Sequence, residues 1–217
     1  MLDIIRNGST VDLVLYFIST VIVVFLTLPI HEFAHAFTAN KLGDPTAKYS
    51  GRITLNPFAH LDPIGSLMIL LFGFGWAKPV PVNSFNFRKP KRDMAITAAA
   101  GPLSNLILAF TFYFLYKFLA RFALTFEVIG YLALICSFVV QINVSLAVFN
   151  LLPIPPLDGS RLIFAFLKDK HYYNFLKYER YFSFAIIFLL FTDVLDLPLT
   201  YLTIVIYKLF DILTFWI

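Results

Sequence analysis

Residues 11–35 read VDLVLYFISTVIVVFLTLPIHEFAH, an almost uncharged apolar run that ends on a cluster of ionisable side chains. The apolar part, residues 11–30, is long enough for a helix that crosses the ~30 Å hydrocarbon core of a membrane. Ionisable groups are costly to bury at that depth, so His31, Glu32 and His35 mark a candidate functional site. The non-functional alternative is that the HxxxH pattern occurs by chance at a helix end, or that two interfacial histidines are hydrogen-bonded to each other.

The spacing within this cluster indicates metal chemistry. Histidines at i and i+4, here His31 and His35, lie on one face of a helix, where both imidazoles can reach a single Zn²⁺. Glu32, next to the first histidine, can accept a proton from a water that the metal activates. The chain has a single cysteine, Cys136, inside another apolar run. The remaining ligands are therefore expected to be histidine or carboxylate.

The composition indicates that the chain resides in a membrane. Hydrophobic residues make up 59% of the 217 residues and charged residues only 14%, and 26 residues are Phe. A soluble domain carries roughly 25% charged residues, so we expect an integral membrane protein. No tract of Arg and Lys with interleaved aromatic residues suggests a nucleic acid partner.

The apolar runs predict an all-α polytopic membrane protein, a single domain over residues 1–217 with about four to six membrane segments. Runs long enough to cross the membrane occupy residues 11–39, 94–118 and 128–152. Residues 61–74 are predicted to form a short re-entrant or partial segment, because about 14 residues of helix span only about 21 Å. Residues 181–217 are interrupted by two aspartates and a proline and are predicted to form a hairpin of two helices.

Two connecting segments have an extended character. Residues 47–55 carry Tyr, Ile and Thr around Gly51, which suggests a short hairpin or an extended edge. Residues 78–82 read KPVPV, and their prolines exclude a helix. Both segments are either ordinary loops or small extended elements beside the metal, on which an unwound substrate could dock by strand addition.

The third zinc ligand has three candidates in the sequence, since a catalytic site needs three protein ligands and an open fourth position. His60 lies in a turn-rich loop and His171 in a basic segment, whereas Asp158 follows three prolines and precedes a glycine. A stiff backbone suits a ligand that must meet a metal on another helix. The alternative role of Asp158 is an N-cap for a helix over residues 160–167.

The distribution of basic residues favours Asp158. Residues 41–92 contain eight Lys and Arg and residues 161–180 contain five, whereas residues 1–10 contain one. The positive-inside rule places both basic segments in the cytoplasm, which requires that the short apolar segment enters the membrane without crossing it. The histidine motif and Asp158 then emerge at the same face, so Asp158 is the predicted third ligand, with His60 as an alternative.

Four stretches together resemble the site-2 proteases, the intramembrane zinc metalloproteases, and in particular their short bacterial and archaeal members. The stretches are HEFAH at 31–35, GRITLNP at 51–57, GPLSN at 101–105 and NLLPIPPLDG at 150–159. An HExxH motif alone occurs in many zinc peptidases. Its combination with a proline-rich N…P…DG element after a later span is highly specific.

The resemblance implies that His31, His35 and Asp158 hold one Zn²⁺ per chain and that Glu32 is the catalytic base. It also implies that Asn150 orients substrate or stabilises the oxyanion, whereas its mundane alternative is to satisfy backbone at a helix end. The expected activity is hydrolysis of peptide bonds within transmembrane segments, in a prokaryotic plasma membrane with the active site toward the cytoplasm. From the 217 residues we expect a single domain without the PDZ or CBS modules of longer members.

Two other functions fit parts of the pattern. An inactive relative would bind transmembrane segments without cutting them, and would then have no use for Glu32. A metal-ion transporter usually places acidic residues or histidines along several spans, whereas residues 94–117 and 128–152 hold none. Gly101 and Asn105 are interpreted as helix packing, with Asn105 also a candidate polar contact near the site.

Overall fold

The computed structural model describes residues 9–72, 75–166 and 192–216. The described helices are, in chain order, α1 (Thr10–Lys41), α2 (Thr46–Tyr49), α3 (Pro63–Phe72), α4 (Pro90–Ala120), α5 (Glu127–Asn150), α6 (Asp158–Phe164) and α7 (Asp196–Leu213). Of these, α1, α4 and α5 are long and apolar enough to cross a membrane. The prediction of an all-α polytopic membrane protein is confirmed.

Helix α1 begins at a capping box and continues through a proline to the histidine motif. The Ser9 side chain accepts from the Asp12 N–H at 3.2 Å, and the Asp12 carboxylate accepts from the Ser9 N–H at 2.9 Å. Val23–Thr27 forms a wider, π-helical turn. This turn makes room for the ring of Pro29, which would clash with a carbonyl of the preceding turn in a regular helix.

Helix α1 has two different neighbours along its length. Its first part, Thr10–Ile22, packs against α5, and its last part, Leu28–Lys41, packs against α4. In the first part, the Ser19 hydroxyl lies 3.2 Å from the Ile135 carbonyl oxygen of α5. The change of neighbour occurs across the π-helical turn, so the histidine motif faces α4.

The residues that precede α3 and those that follow it lie side by side. Leu61 pairs with Ala77 in an isolated antiparallel bridge, and the Lys78 N–H donates to the His60 carbonyl at 2.8 Å. The 10 residues of α3 span about 15 Å, too short to cross a membrane. A Cβ on Gly65 would overlap the Trp76 carbonyl oxygen, so glycine lets the returning chain lie against α3. This closed path agrees with the predicted re-entrant or partial segment.

The two connecting segments differ from each other. For residues 47–55 the sequence allows an ordinary loop or predicts a hairpin or extended edge. The chain forms α2 as far as Tyr49, turns at Gly51 with φ of +67°, and is neither helix nor strand over residues 52–55. The prediction of a hairpin or extended edge is wrong, because the Asp44 carboxylate accepts from the Thr46 N–H at 3.1 Å and starts a helical turn locally. Residues 78–82 are neither helix nor strand, as their prolines predict.

The spanning helices pack around α4, which contacts both α1 and α5, and α6 lies on α4 as well. Six buried residues form the core cluster between α4, α5 and α7: Ala109, Tyr113, Val140, Val144, Val148 and Phe210. Since α3 does not cross, the end of α1 and the start of α4 lie on one side, and the antiparallel α5 ends there too. The motif and α6 therefore meet at one face.

The predicted two-helix hairpin over residues 181–217 lies partly outside the described residues. Its described half, α7, is attached to α4 by the Tyr113 hydroxyl, which donates to Asp211 Oδ1 at 2.6 Å. Lys117 Nζ lies 3.4 Å from the same oxygen. The described part of the chain thus accounts for three candidate spans and the short α3 segment.

Candidate active site

Three side chains of the kind that bind metals converge where α1, α4 and α6 meet. His31 Nε2 and His35 Nε2 are 3.0 Å apart, and Asp158 Oδ2 lies 3.4 Å from the first and 3.2 Å from the second. A tetrahedral Zn²⁺ with bonds of about 2.0–2.2 Å holds its ligand atoms about 3.3 Å from one another. The three atoms therefore already have the spacing of zinc ligands.

The Nδ1 atom of each imidazole is hydrogen-bonded to α4. His31 Nδ1 lies 3.3 Å from Asn105 Oδ1, and His35 Nδ1 lies 2.8 Å from the Thr97 carbonyl oxygen. Both partners are acceptors, so each Nδ1 donates to α4 and each Nε2 points toward the other converging atoms. A proton on one Nε2 would satisfy only some of the contacts among the three converging atoms. A cation between them satisfies all three.

Gly101 leaves the space that such a cation needs. A Cβ at this position would overlap His35 Nε2 and would lie only 2.6 Å from His31 Nε2. The predicted packing role of Gly101 is thus confirmed, with the two imidazoles as its packing partners. The donor set and this gap both fit a metal ion held by His31, His35 and Asp158, which together form the candidate metal-binding group of the described residues.

Asp158 reaches the histidines through the proline-rich turn after α5. It is the first residue of α6, whose N-cap is Leu157, so the alternative of Asp158 as N-cap is wrong. A Cβ on Gly159 would overlap the Leu151 carbonyl, so glycine is needed for the turn to fold over the end of α5. Burial opposes ionisation of Asp158, but hydrogen bonds with the two imidazoles outweigh it and hold the pKa of this carboxyl well below its ordinary value. The group is therefore a carboxylate at neutral pH.

The Glu32 carboxylate is half-buried and is held by main chain rather than by another side chain. The Val80 N–H donates to Glu32 Oε2 at 3.1 Å. Val80 belongs to residues 77–83, hereafter the proline segment. Burial lowers the pKa of the Arg52 guanidinium, and the charge of Glu32 nearby opposes that decrease. Glu32 thus lies between a backbone donor and a buried cation.

The proline segment is fixed on both sides of Val80. Before it, Arg52 Nη2 donates to the Lys78 carbonyl. After it, the Asn83 N–H donates to Asp44 Oδ2 at 2.7 Å. Arg52 and Asp44 are both buried. These two side chains determine where the Val80 N–H meets Glu32.

The remaining predicted residues lie away from the three converging atoms. Asn150 is in the last turn of α5, where its Nδ2 donates to the Leu146 carbonyl at 3.0 Å. This bond agrees with the alternative that Asn150 satisfies backbone at a helix end. The catalytic role of Asn150 stays a prediction. His60 is fully buried and its Nε2 lies 2.8 Å from the Thr54 carbonyl oxygen, outside the His31, His35 and Asp158 group. His171 lies outside the described residues.

Sequence reasoning did not single out four groups that support the site: Asp44, Arg52, the Thr97 carbonyl and the Val80 N–H. Two of them are main-chain atoms, which leave no signature in a sequence. Arg52 lies in the GRITLNP stretch, where a cation next to a turn glycine was the available signal. Asn105 was a candidate polar contact near the site, and its contact with His31 bears this out.

Residues 125–192 match the model of Peptidase family M50. Three relatives share the printed name "Putative zinc metalloprotease". YwhC of Bacillus subtilis is 47% identical over 145 residues, 66% of this chain and 66% of the relative. MJ0611 of Methanocaldococcus jannaschii is 33% identical over 153 residues, 69% of this chain and 71% of the relative. Rip2 of Mycolicibacterium smegmatis is 33% identical over 141 residues, 62% of this chain and 51% of the relative.

The chain thus spans about two thirds of the length of YwhC and about half of the length of Rip2. No solved structure matches the chain significantly.

Proposed function

The chain belongs to peptidase family M50, and from this premise we propose that it is an intramembrane zinc metalloprotease of the site-2 type. Its substrates are proposed to be membrane proteins, cut within or near their transmembrane segments. The observation that carries the proposal is the convergence of His31, His35 and Asp158, with ligand atoms 3.0 to 3.4 Å apart. Glu32, next in sequence to the first of them, supplies the carboxylate that such a reaction requires.

The three converging residues are the proposed protein ligands of one Zn²⁺. Their neutral imidazoles and ionised carboxyl form a donor set that zinc prefers. Zinc bound there supplies Lewis acidity and lowers the pKa of water to about 7. Gly101 keeps the space beside the ligands open, and the burial of both imidazoles limits competition from bulk water.

Glu32 is the proposed general base. It accepts the proton of the attacking water and passes it to the leaving amine. Because Oε2 already accepts from the Val80 N–H, the carboxylate is held in place and its other oxygen remains available for the proton. Asn150 is proposed to orient substrate or to stabilise the oxyanion, for which its Nδ2 must leave the Leu146 carbonyl.

The substrate must present extended backbone to this site. A transmembrane helix protects its carbonyls by internal hydrogen bonds, so the segment to be cut has to unwind first. The proline segment, which contacts Glu32 and is not helical, is the proposed docking edge. Residues 47–55 do not offer one, because they begin in α2 and form no strand. The motif lies next to the basic residues of 41–92, so the positive-inside rule favours cleavage at the cytoplasmic side of a prokaryotic plasma membrane.

The test measures zinc and cleavage on the same detergent-purified protein. We expect about one zinc per chain in the wild type and in His60→Ala, and its loss in Asp158→Ala, because only Asp158 is a ligand. His60 is the matched control, since it is the rival ligand and is also buried. Full zinc in Asp158→Ala together with loss in His60→Ala would overturn the ligand assignment.

Glu32→Gln separates the reaction from metal binding. The amide cannot accept a proton, so this variant should bind zinc as the wild type does and leave a transmembrane test substrate intact. Wild-type cleavage should stop when 1,10-phenanthroline removes the metal. Near wild-type cleavage by Glu32→Gln would sink the assignment of the base, and zinc binding without any cleavage in the wild type would favour the inactive-relative alternative.

A further inference from the structure

Asn105 is buried in α4, and only one of the two polar atoms of its amide has a hydrogen-bond partner. Its side chain is 1% exposed, its Oδ1 lies 3.3 Å from His31 Nδ1, and its Nδ2 has no hydrogen-bond partner. An unpaired buried donor destabilises a fold, whereas an apolar side chain of the same shape carries no such penalty. Packing alone therefore does not explain an amide at this position. What distinguishes it from a leucine is the contact that its oxygen makes.

That contact is made with the nitrogen of His31 that points away from the converging ligand atoms. Because Asn105 Oδ1 can only accept, His31 Nδ1 donates, and Nε2 is left to face Asp158 Oδ2 at 3.4 Å. The plane of the His31 ring is fixed by the same bond. It lies at 81° to the ring of His35, with the centroids 4.7 Å apart.

Helix α4 provides one hydrogen-bond acceptor to each of the two histidines. Thr97, Gly101 and Asn105 are spaced four residues apart and so lie on one face of α4. The Thr97 carbonyl accepts from His35 Nδ1 at one end, and Gly101 leaves room for both rings in the middle. At the other end Asn105 plays the corresponding part for His31. Of the two acceptors, Asn105 is the one that a side-chain substitution can remove.

We propose that Asn105 is a positioning residue that fixes the tautomer and ring orientation of His31 for metal binding. The inference rests on the proposed function, because it takes His31 as a zinc ligand. Partners of this kind, which accept from the second nitrogen of a ligating histidine, typically change metal affinity roughly 10–100-fold when removed. The effect should appear in zinc affinity itself, without any substrate.

Asn143 is a matched control within the same chain. It is fully buried in α5 and, like Asn105, has one unpaired amide atom. Its Nδ2 donates to Thr27 Oγ1 at 3.2 Å and to the Val139 carbonyl at 2.9 Å, and not to a histidine. Asn143→Leu therefore removes a buried amide from a spanning helix without touching the proposed ligands.

The experiment measures the zinc dissociation constant of the full chain in detergent, by competition with a fluorescent zinc chelator. Asn105→Leu should bind zinc roughly 10–100-fold more weakly than the wild type. Asn105→Asp keeps an acceptor for His31 Nδ1 and should bind about as tightly as the wild type. Asn143→Leu should show wild-type affinity. Thermal unfolding of the zinc-free proteins verifies that each variant is folded.

Wild-type affinity in Asn105→Leu overturns the inference, and so does an equal loss in Asn143→Leu, which would make the effect a general one of buried amides. If Asn105→Leu does not fold, Asn105→Asp decides: weak binding by the folded aspartate variant overturns the inference, and tight binding supports it. A wild-type protein that binds no zinc overturns the proposed function and this inference together. Zinc binding by the wild type with no loss in Asn105→Leu overturns the inference alone.

Discussion

His31 and His35 are held by a long helix, whereas Glu32, which lies between them in sequence, is held by a loop. Helix α4 gives the two imidazoles a carbonyl, an amide oxygen and the open space at Gly101. The proline segment gives Glu32 a single backbone N–H, that of Val80. Neighbouring residues of an α-helix point about 100° apart, so one short motif reaches two different parts of the fold.

In the proposed mechanism, this contrast separates metal binding by the two histidines from proton transfer by Glu32. Apart from Pro102, which has no N–H to donate, the backbone of α4 is hydrogen-bonded within the helix, so we expect its face toward the histidines to be rigid. The proline segment has no such ladder and is held by bonds with the His60 carbonyl, Arg52 and Asp44. Changes on the α4 side are expected to remove the metal, and changes on the loop side are expected to leave the metal in place and alter cleavage.

The largest effect is expected from Gly101→Ala. The added Cβ would overlap His35 Nε2, so the variant should lose zinc and all cleavage. Gly51→Ala is the matched control, because its φ of +67° strains the backbone while its Cβ would meet nothing within 4 Å. That strain costs about 1–2 kcal/mol and should leave zinc content unchanged. Zinc retained by Gly101→Ala at the wild-type level would break the claim that α4 shapes the metal site.

A smaller and more selective effect is expected from Val80→Pro. Proline removes the N–H that Glu32 accepts, in a stretch where Pro79 and Pro81 already flank the residue. A hydrogen bond to a charged group is worth about 1.5–3 kcal/mol, so kcat on a transmembrane test substrate should fall roughly ten- to hundredfold. Zinc content should stay at the wild-type level.

Val80→Ala keeps the N–H and is the control for the lost side chain, with kcat near the wild type. A proline variant with wild-type kcat would show that the contact does not hold Glu32. A proline variant without zinc would show that the two halves of the site cannot be separated.

The smallest effect concerns Asp44 and the pH dependence of stability. Burial opposes ionisation of Asp44, but hydrogen bonds from Asn86, Thr46 and the Asn83 N–H outweigh it and hold the pKa of the carboxyl below its ordinary value. Because the pKa is lower in the folded state, the stabilisation is complete at neutral pH and is lost as the pH falls through the unfolded value of about 3.9 toward the folded one.

Thermal unfolding of the wild type should therefore move to lower temperature between neutral pH and about pH 3 by more than that of Asp44→Asn. Asp44→Asn should already unfold a few degrees lower at neutral pH, because the amide cannot accept all of these bonds. Parallel pH curves for the two proteins would contradict the role of Asp44 in fixing the proline segment.

The helical half of the site could be predicted from the sequence because it consists of ionisable side chains with fixed spacing. The spacing of four residues found His31 and His35, and the distribution of Lys and Arg selected Asp158. The short α3 segment followed from its length alone. These features depend on helix geometry and membrane thickness, which apply to any sequence.

The loop half could not be predicted in the same way. The partner of Glu32 is the main-chain N–H of Val80, and a backbone atom is the same in every residue. The error over residues 47–55 has a related cause, since the Asp44 side chain bonds to the Thr46 N–H and overrides the β-propensity of the residues that follow. Local side-chain to backbone bonds of this kind depend on the final fold as much as on the sequence.

The π-helical turn at Val23–Thr27 determines how α1 can be drawn as a helical wheel. One residue more per turn offsets the angular phase of the helix by about 100°. A single wheel through residues 10–41 therefore gives a wrong angle between the side of α1 that packs against α5 and the side that packs against α4. Two wheels, offset at the turn, assign both sides correctly, and through that offset one continuous helix packs against α5 with its first half and against α4 with its second.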